Sequence, residues 1–210
     1  FGTIVSLNES TIKPGYLYAG TDDGRLWTTM NDGGTWEELT ARVAGVPAGT
    51  YVSRIEPSQF DLNTFYVSYD NHRRGDFTPY AVHTADGGRT FRSIAGGRPK
   101  GGADFVHVVR EDPKNQDLLF VGTDVSAYVS GDRGATWQKF MTGLPNVPVH
   151  DLKIHPRDAE LIAATHGRGF WIVDIAPLEQ LTKTVAAMPA YLFAPRPAFQ
   201  WGEAPIEGGS

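Results

Sequence analysis

The sequence predicts an all-β fold built from four repeats, and three observations lead to that prediction. A segment rich in aromatic and β-branched residues, typical of a strand, recurs at residues 16–21, 64–69, 118–123 and 160–165. An eight-residue phrase, Ser/Thr-x-Asp/Asn-x-Gly-x-Thr-aromatic, recurs at residues 29–36, 84–91 and 130–137. The chain also contains 24 glycines and 14 prolines, which is typical of many short strands joined by turns. We therefore interpret these 210 residues as a repeat protein.

The recurring strand segment sets the length of one repeat. Thr21, Tyr69, Thr123 and Thr165 occupy its equivalent positions and lie 48, 54 and 42 residues apart, a length that suits a four-stranded antiparallel sheet. An inner strand should precede each segment and end at a proline turn, since proline cannot donate to a ladder. The expected inner strands are residues 3–7, 51–55, 105–110 and 150–154. The expected third strands are 26–29, 80–84, 127–130 and 170–175, and the fourth strands are 37–39, 92–94 and 138–140.

The fourth repeat departs from this pattern because it lacks the eight-residue phrase. We expect a short helical turn near Pro177 instead, followed by an outer strand at residues 190–194. Residues 197–210 are rich in proline and glycine, so an extended or poorly ordered tail is expected there. The predicted units cover about residues 1–40, 49–96, 104–141 and 147–194, within one segment of residues 1–196.

The eight-residue phrase has the chemistry of a tight hairpin. Its third residue, Asn31, Asp86 or Asp132, is expected to accept hydrogen bonds from the backbone amides that follow. The glycine suits a positive φ, the threonine begins the next strand, and the aromatic residue should be buried between neighbouring sheets. The residues assigned to this structural role are Asn31, Gly33, Thr35, Trp36, Asp86, Gly88, Thr90, Phe91, Asp132, Gly134, Thr136 and Trp137. We interpret their carboxylates as structural and not catalytic.

The phrase resembles the Asp-box of bacterial-neuraminidase-type (BNR) repeats, a motif found at the blade hairpins of β-propellers. Together with residues 164–174 (ATHGRGFWIVD) and 192–196 (LFAPR), it is similar to the C-terminal blades of large exported bacterial proteins with sortilin-like or neuraminidase-type repeats. The resemblance covers about residues 1–196. It implies four blades of four antiparallel strands from the C-terminal part of a larger propeller, in a periplasmic or secreted protein. Since such blades occur in sialidases, endoglucanases, receptors and assembly factors, the resemblance does not select a function.

Four blades form an open arc, unless they close into a compact four-bladed ring. In an open arc, the first and last blades expose apolar faces and strand edges, which promote aggregation when nothing covers them. We therefore expect the remaining blades of the parent chain, or a neighbouring subunit, to cover these faces.

Composition excludes several classes of function. The net charge of −5 gives no basic surface, so no nucleic-acid partner is predicted. The absence of cysteine excludes disulfides and thiolate metal sites. His72, His107, His150 and His155 lack the spacing of a metal site, and the strand positions of His107 and His150 favour packing roles. The apolar segments have strand length, so no membrane insertion is predicted, and nothing in the sequence calls for a metal or a cofactor.

The candidate binding residues lie on the face opposite the hairpins, where ligands usually meet a propeller. The longest loop there, residues 69–79, and a glycine-flanked turn are its most polar segments. The predicted binding residues for a protein or glycan partner are Asp70, Asn71, His72, Arg73, Arg74, His166 and Arg168. A solvated loop, and an Arg168 paired to a neighbouring carboxylate, remain the alternatives. Further polar candidates on this face are Asp22, Asp23, Arg25, Asp76, Arg98, Lys100, Asp104 and Asp124.

A glycoside hydrolase or sialidase-like enzyme is the alternative to a non-catalytic binding or scaffold protein. It requires two carboxylates roughly 5–9 Å apart across a cleft, and its candidates are Asp22, Asp70 and Asp124. A sialidase also requires an arginine cluster and a tyrosine nucleophile. Arg54, Arg110 and Lys153 form a basic series, but they are expected near strand ends on the hairpin face. This position favours a structural role, in which the charged groups snorkel from the strand ends, over an arginine cluster that binds sialic acid. The Arg-Ile-Pro motif associated with sialidases is missing, and we favour the binding interpretation.

Overall fold

The computed structural model describes residues 2–96, 104–140 and 143–197, which form four antiparallel sheets whose strands pair in chain order. Sheet I consists of β1 (Ile4–Glu9), β2 (Leu17–Thr21), β3 (Leu26–Thr29) and β4 (Glu37–Glu38). Sheet II consists of β5 (Tyr51–Pro57), β6 (Phe65–Asp70), β7 (Tyr80–Thr84) and β8 (Arg92–Ser93). Sheet III consists of β9 (Val106–Glu111), β10 (Leu119–Thr123), β11 (Ala127–Ser130) and β12 (Gln138–Phe140). Sheet IV consists of β13 (Val149–His155), β14 (Glu160–Thr165) and β15 (Phe170–Asp174).

The fourth sheet differs from the prediction, because residues 190–194 do not form its outer strand. The expected helical turn is present as α1 (Ala176–Gln180), with Pro177 in its first turn, and a second short helix, α2 (Lys183–Ala186), follows. The side chain of Gln180 bonds both the backbone N–H and the carbonyl of Ala194, and Arg196 contacts Glu160 and Asp174 of sheet IV, so side chains hold this segment in place of a ladder. No helix of the described residues is long and apolar enough to cross a membrane. The predicted tail from residue 198 onward, Arg98 and Lys100 lie outside the described residues.

The inner strands β1, β5, β9 and β13 pack beside one another in succession. Each inner strand begins at one end of the array, here called the loop face because the loops between second and third strands lie there. Each ends at the opposite end, the hairpin face, where the eight-residue phrases reverse the chain. The loop face therefore brings together the starts of the inner strands and the loops after β2, β6, β10 and β14.

Every inner strand carries a β-bulge at the same place. The register between each inner strand and the second strand of its sheet shifts by one residue, so one residue of the inner strand has no partner on the second strand. The residues left over are Val5, Ser53, His107 and His150. A bulge bends its strand and redirects the side chain of the extra residue. At four equivalent positions near the loop face, the side chain therefore does not follow the usual alternation between the two faces of a sheet.

The hydrophobic core lies between successive sheets. Tyr18 and Leu26 of sheet I pack with Ile55 and Val67 of sheet II, and equivalent clusters fill the two other interfaces. Each of these side chains is almost fully buried, which provides the main driving force for stacking the sheets.

The two end sheets expose the same positions that the interior sheets bury. In sheet I, Leu7 pairs with Ala19, which pairs with Trp27 on its other side. Ile55 occupies the same position in sheet II, where it pairs with Val67, which pairs with Val82. Ile55 is fully buried, but Leu7 is 60% exposed. On the far side of sheet IV, the exposed fractions of Phe170 and Ile172 are 76% and 62%. Both ends of the array therefore present apolar sheet faces.

The three hairpins share one hydrogen-bond pattern. The Asp86 carboxylate accepts bonds from the Thr90 N–H (3.0 Å) and hydroxyl (2.6 Å), and the Asp132 carboxylate accepts the same bonds from Thr136. The Asn31 side chain accepts from the Thr35 N–H and donates to its hydroxyl. These bonds hold the pKa of Asp86 well below its usual range, the bond from the Thr90 hydroxyl having the largest effect. The carboxylate is therefore kept ionised within the turn.

The hairpin glycines have the positive φ that was expected, and one aromatic residue differs from the prediction. Two consecutive residues of each turn have positive φ, and the first of each pair is Asp32, Gly87 or Arg133. The predicted burial is wrong for Trp36, which is 39% exposed, because no sheet among the described residues packs against this face of sheet I. In contrast, Trp137 is buried and its indole N–H donates to the carbonyl of Ile94 at 2.7 Å.

Candidate functional site

A polar hollow of about 250 Å³ lies on the loop face where three inner strands begin. We call it the axial pocket. Its lining residues are Tyr51, Ser53, Asp70, His72, Arg73, His107 and His150. Three of these residues, Ser53, His107 and His150, are the bulge residues of β5, β9 and β13. The bulges thus place polar side chains into one pocket from three sheets.

The loop after β6 supplies the other polar wall of the pocket. Asp70 ends β6, and a short 3₁₀ helix (His72–Arg74) follows and stops at Gly75, which has a φ of 74°. The Asp70 carboxylate accepts the His72 N–H at 3.0 Å, and the same oxygen lies 2.6 Å from Nδ1 of His72. The His72 ring stacks on Phe105 with ring centres 4.8 Å apart. Asp70 and Phe105, the residue before β9, therefore fix the orientation of this imidazole.

The predicted binding residues of this loop divide into two groups. Asp70, His72 and Arg73 line the axial pocket. Asn71 is buried and its side chain donates to Asp76 at 2.8 Å, so it stabilises the loop and does not line the pocket. Arg74 points to the neighbouring turn, where it donates to the carbonyl of Ala48 at 2.8 Å.

Asp76 is the residue that accepts several of the hydrogen bonds within this loop. Its carboxylate accepts bonds from the Asn71 amide, the Thr78 N–H and the Tyr80 hydroxyl. These bonds, with that from Asn71 first, hold the pKa of Asp76 far below its usual range. The loop is thus pinned by an ionised carboxylate and is a defined wall of the pocket.

Three histidines form a stacked row along one side of the pocket. The His107 and His150 rings are 4.5 Å apart and nearly parallel, and the His150 and His166 rings follow at 5.4 Å. Nε2 of His107 lies 3.3 Å from the carboxylate of Asp124. Burial lowers the pKa of His107, and the neighbouring His150 lowers it further. Because the rings stack face to face, their nitrogens do not converge on one point, and no cluster of metal ligands occurs among the described residues.

His107 and His150, whose strand positions were predicted to favour packing roles, both line the pocket. The prediction assumed that side chains alternate between the two faces of a regular strand, and a bulge residue does not follow that alternation. The only signal in the sequence was the occurrence of His107 and His150 at the start of successive inner strands.

The other predicted residues of the loop face are not all brought together. Asp22 is exposed at the edge of sheet I, where it accepts the Thr3 N–H at 2.7 Å, and this bond lowers the pKa of Asp22. Asp22 does not line the axial pocket, whereas Asp70 lines it and Asp124 contacts one of its walls. Arg168 lies exposed between two glycines with positive φ, Gly167 and Gly169. It does not line the pocket, although its neighbour His166 extends the histidine row.

A second hollow, of about 360 Å³, lies on the hairpin face at the ends of the inner strands. Of the residues predicted to snorkel from strand ends, Arg110 and Lys153 line this hollow, whereas Arg54 lies in the middle of β5, next to the bulge residue Ser53. The guanidinium of Arg110 donates to Glu56 at 2.6 Å and to Asp151 at 2.9 Å, and Arg54 contacts the same Asp151 oxygen at 2.9 Å. Both arginines are partly buried and connect sheets II, III and IV. Their charges are thus compensated within the fold and do not form a free cationic clamp.

Comparison with solved structures identifies the architecture. The GH74 xyloglucanase from Xanthomonas campestris is 14% identical and superposes with a TM-score of 0.63 over 82% of this chain and 29% of its own. YCF48 bound to D1 peptide is 18% identical, with a TM-score of 0.58 over 82% of this chain and 51% of its own. The fold is that of a β-propeller.

A third structure extends the range of functions seen with this fold. The extracellular domain of a putative one-component system from B. thetaiotaomicron is 15% identical, with a TM-score of 0.60 over 80% of this chain and 20% of its own. The chain thus spans between a fifth and about half of the propellers it resembles. No known protein family matches the sequence, and no curated protein does. These propellers include an enzyme, a protein solved with a bound peptide and an extracellular domain, so the shared fold does not select a function.

Proposed function

We propose that the chain is a non-catalytic binding or scaffold part of a propeller, which engages a protein or glycan partner through the loop face. The observation that supports this proposal is the axial pocket, where Ser53, His107 and His150 are turned by bulges into a hollow walled by the loop after β6. A concave site with a few convergent polar groups suits recognition. YCF48, which shares the fold, was solved with a D1 peptide, and this favours a peptide as the partner.

The state of the acidic residues also favours binding over hydrolysis. Asp70 is paired with His72 and Asp124 with His107, while Asp22 accepts a backbone N–H away from the pocket. A general acid must hold a proton near the working pH. Asp22, with its lowered pKa, does not meet that requirement.

The binding proposal predicts that peptides selected on the chain require the histidine row. A random 12-residue peptide library displayed on phage is selected on the immobilised wild-type protein, and a glycan array is screened in parallel. We expect the enriched ligands to bind the His107→Ala/His150→Ala double variant at least about tenfold more weakly, because both side chains line the pocket. Affinity is measured by fluorescence anisotropy.

The matched control is His155→Ala, since His155 lies on the hairpin face and contacts Asp158. It should bind like the wild type, and the thermal midpoints should show that both variants are folded. Ligands that bind the double variant as tightly as the wild type would place the contact surface elsewhere and contradict the proposal.

A glycoside hydrolase is the second candidate function, because Asp70 lines the axial pocket and Asp124 lies 3.3 Å from His107, which lines it as well. GH74 enzymes also share the fold. If the chain takes part in hydrolysis, xyloglucan should be cleaved by the complete protein, and Asp70→Asn and Asp124→Asn should each lower the rate by about a hundredfold or more. Asp23→Asn, outside the pocket, is the control. We expect no turnover above background for any of the four proteins, and reducing-sugar release measures it.

We further propose that sheets of the same repeat, from the remaining blades of a parent chain or from a neighbouring subunit, cover the two end faces. The support is positional, because the exposed Leu7 and Phe170 occupy positions that are buried in the interior sheets. A periplasmic or secreted location is proposed for the same protein, in keeping with the extracellular domain that shares its fold.

A further inference from the structure

Three hydrogen-bond donors in the axial pocket have no partner within the described residues. The Arg73 guanidinium lies over the Tyr51 ring, 5.7 Å from its centre, and forms no ion pair in that part of the chain. The Tyr51 hydroxyl and the ring nitrogens of His150 likewise form no hydrogen bond with any described residue, and all three side chains line the same hollow. The pocket therefore offers one permanent positive charge and two further polar groups to a ligand.

The two carboxylates beside the pocket form their hydrogen bonds within the fold and not with Arg73. Asp70 is held by the N–H and the ring of His72. Asp124 is held by His107. Each carboxylate thus contacts an imidazole, and neither one forms an ion pair with Arg73 within the described residues. The Arg73 guanidinium is therefore open to a carboxylate that enters the pocket.

On the basis of the binding function proposed above, we propose that the axial pocket binds a carboxylate of an acidic peptide segment, with Arg73 as its principal contact. The planar guanidinium matches a carboxylate with two parallel hydrogen bonds, and such charge-assisted bonds are stronger than neutral ones. The Tyr51 hydroxyl and the His150 ring supply additional donors. The stacked rings of His107 and His150 offer a flat surface for the chain that carries the carboxylate.

Two adjacent arginines allow a matched test. Arg73 lines the pocket, whereas Arg74 donates to the carbonyl of Ala48 outside it. Both are exposed in the same 3₁₀ helix, so Arg73→Gln and Arg74→Gln remove the same charge from neighbouring positions. Any difference between the variants reports on the pocket and not on net charge.

The probes are fluorescein-labelled hexaglutamate and hexaglutamine with blocked ends, measured by anisotropy with the full chain at physiological ionic strength. We expect hexaglutamate to bind the wild type at least about tenfold more tightly than hexaglutamine. Arg73→Gln should weaken hexaglutamate binding by about tenfold or more, and Arg74→Gln should leave it within about twofold of the wild type. Equal effects of the two variants, or equal affinity for both peptides, overturn the proposal.

Competition separates carboxylate recognition from recognition of other anions. Acetate and inorganic phosphate are titrated against bound hexaglutamate at constant ionic strength. Displacement by acetate at lower concentration supports the carboxylate assignment, and preferential displacement by phosphate overturns it. If library peptides without acidic residues bind through His107 and His150, the carboxylate inference fails while the binding function stands. If no peptide or glycan depends on the pocket, the proposed function itself fails.

Discussion

Replacing Phe120 by alanine should lower the free energy of unfolding by about 4 kcal/mol, the largest loss that we expect from a single substitution. Phe120 lies in β10, is fully buried between sheets III and IV, and packs on Phe140 with ring centres 5.6 Å apart. Removing its ring leaves a cavity that two rigid sheets cannot close. Urea denaturation at pH 7 measures the loss as a lower midpoint with an unchanged slope.

The control for this prediction is Phe170→Ala, which removes the same ring from the exposed face of sheet IV. This change should alter the free energy of unfolding by less than about 0.5 kcal/mol. A loss for Phe170→Ala as large as that for Phe120→Ala would mean that the end face of sheet IV is covered in solution. An unaffected Phe120→Ala variant would contradict the stacking of sheets III and IV.

The chain should also lose stability as the pH falls from 6.5 to 4, and His83 should account for much of that loss. His83 is almost fully buried in β7, and its Nε2 has no partner within the described residues. Burial, with a smaller contribution from Arg92 and Arg133, lowers the pKa of His83 to about 4 from 6.5. Its stabilising effect is therefore complete above pH 6.5, where both states are neutral. Below that pH, the unfolded chain binds the proton first, and the effect is lost until the pH reaches about 4.

Each unit of pKa difference between the folded and unfolded states corresponds to 1.36 kcal/mol. The free energy of unfolding should therefore fall, relative to pH 7, by about 2 kcal/mol at pH 5 and by about 3 kcal/mol at pH 4. Urea unfolding of the wild type and of His83→Gln at pH 7 and pH 5 measures it. The variant should show a difference between the two pH values that is smaller by about 2 kcal/mol. His155→Gln, which changes a more exposed histidine, should retain the wild-type difference. The same pH dependence in His83→Gln and wild type would refute the assignment.

The all-β fold was predictable because strand segments and turns repeat along the chain. Tyr16–Thr21 and its counterparts were found by composition, and the structure confirms an antiparallel array with the likeness of a propeller. The outer strand at residues 190–194 was wrong, because strand propensity cannot reveal that Gln180 binds Ala194 in place of a ladder. Burial of Trp36 was wrong for a related reason, since burial depends on a neighbouring sheet that one repeat does not encode.

The site was harder to predict than the fold. Loop chemistry pointed to Asp70, His72 and Arg73, and these residues do line the axial pocket. It also pointed to Asn71 and Arg74, whose side chains bond within the fold. His107 and His150 were assigned to packing because a regular strand was assumed, and a one-residue bulge is not visible in the sequence.

The bulges have a consequence for how such a protein diversifies. Val5, Ser53, His107 and His150 occupy one equivalent position, yet they differ in size and polarity. Because these residues stand outside the ladder, exchanging them does not disturb strand pairing on either side. Substitutions at these positions can therefore change the lining of the pocket one blade at a time, while the strand pairing of the propeller stays the same.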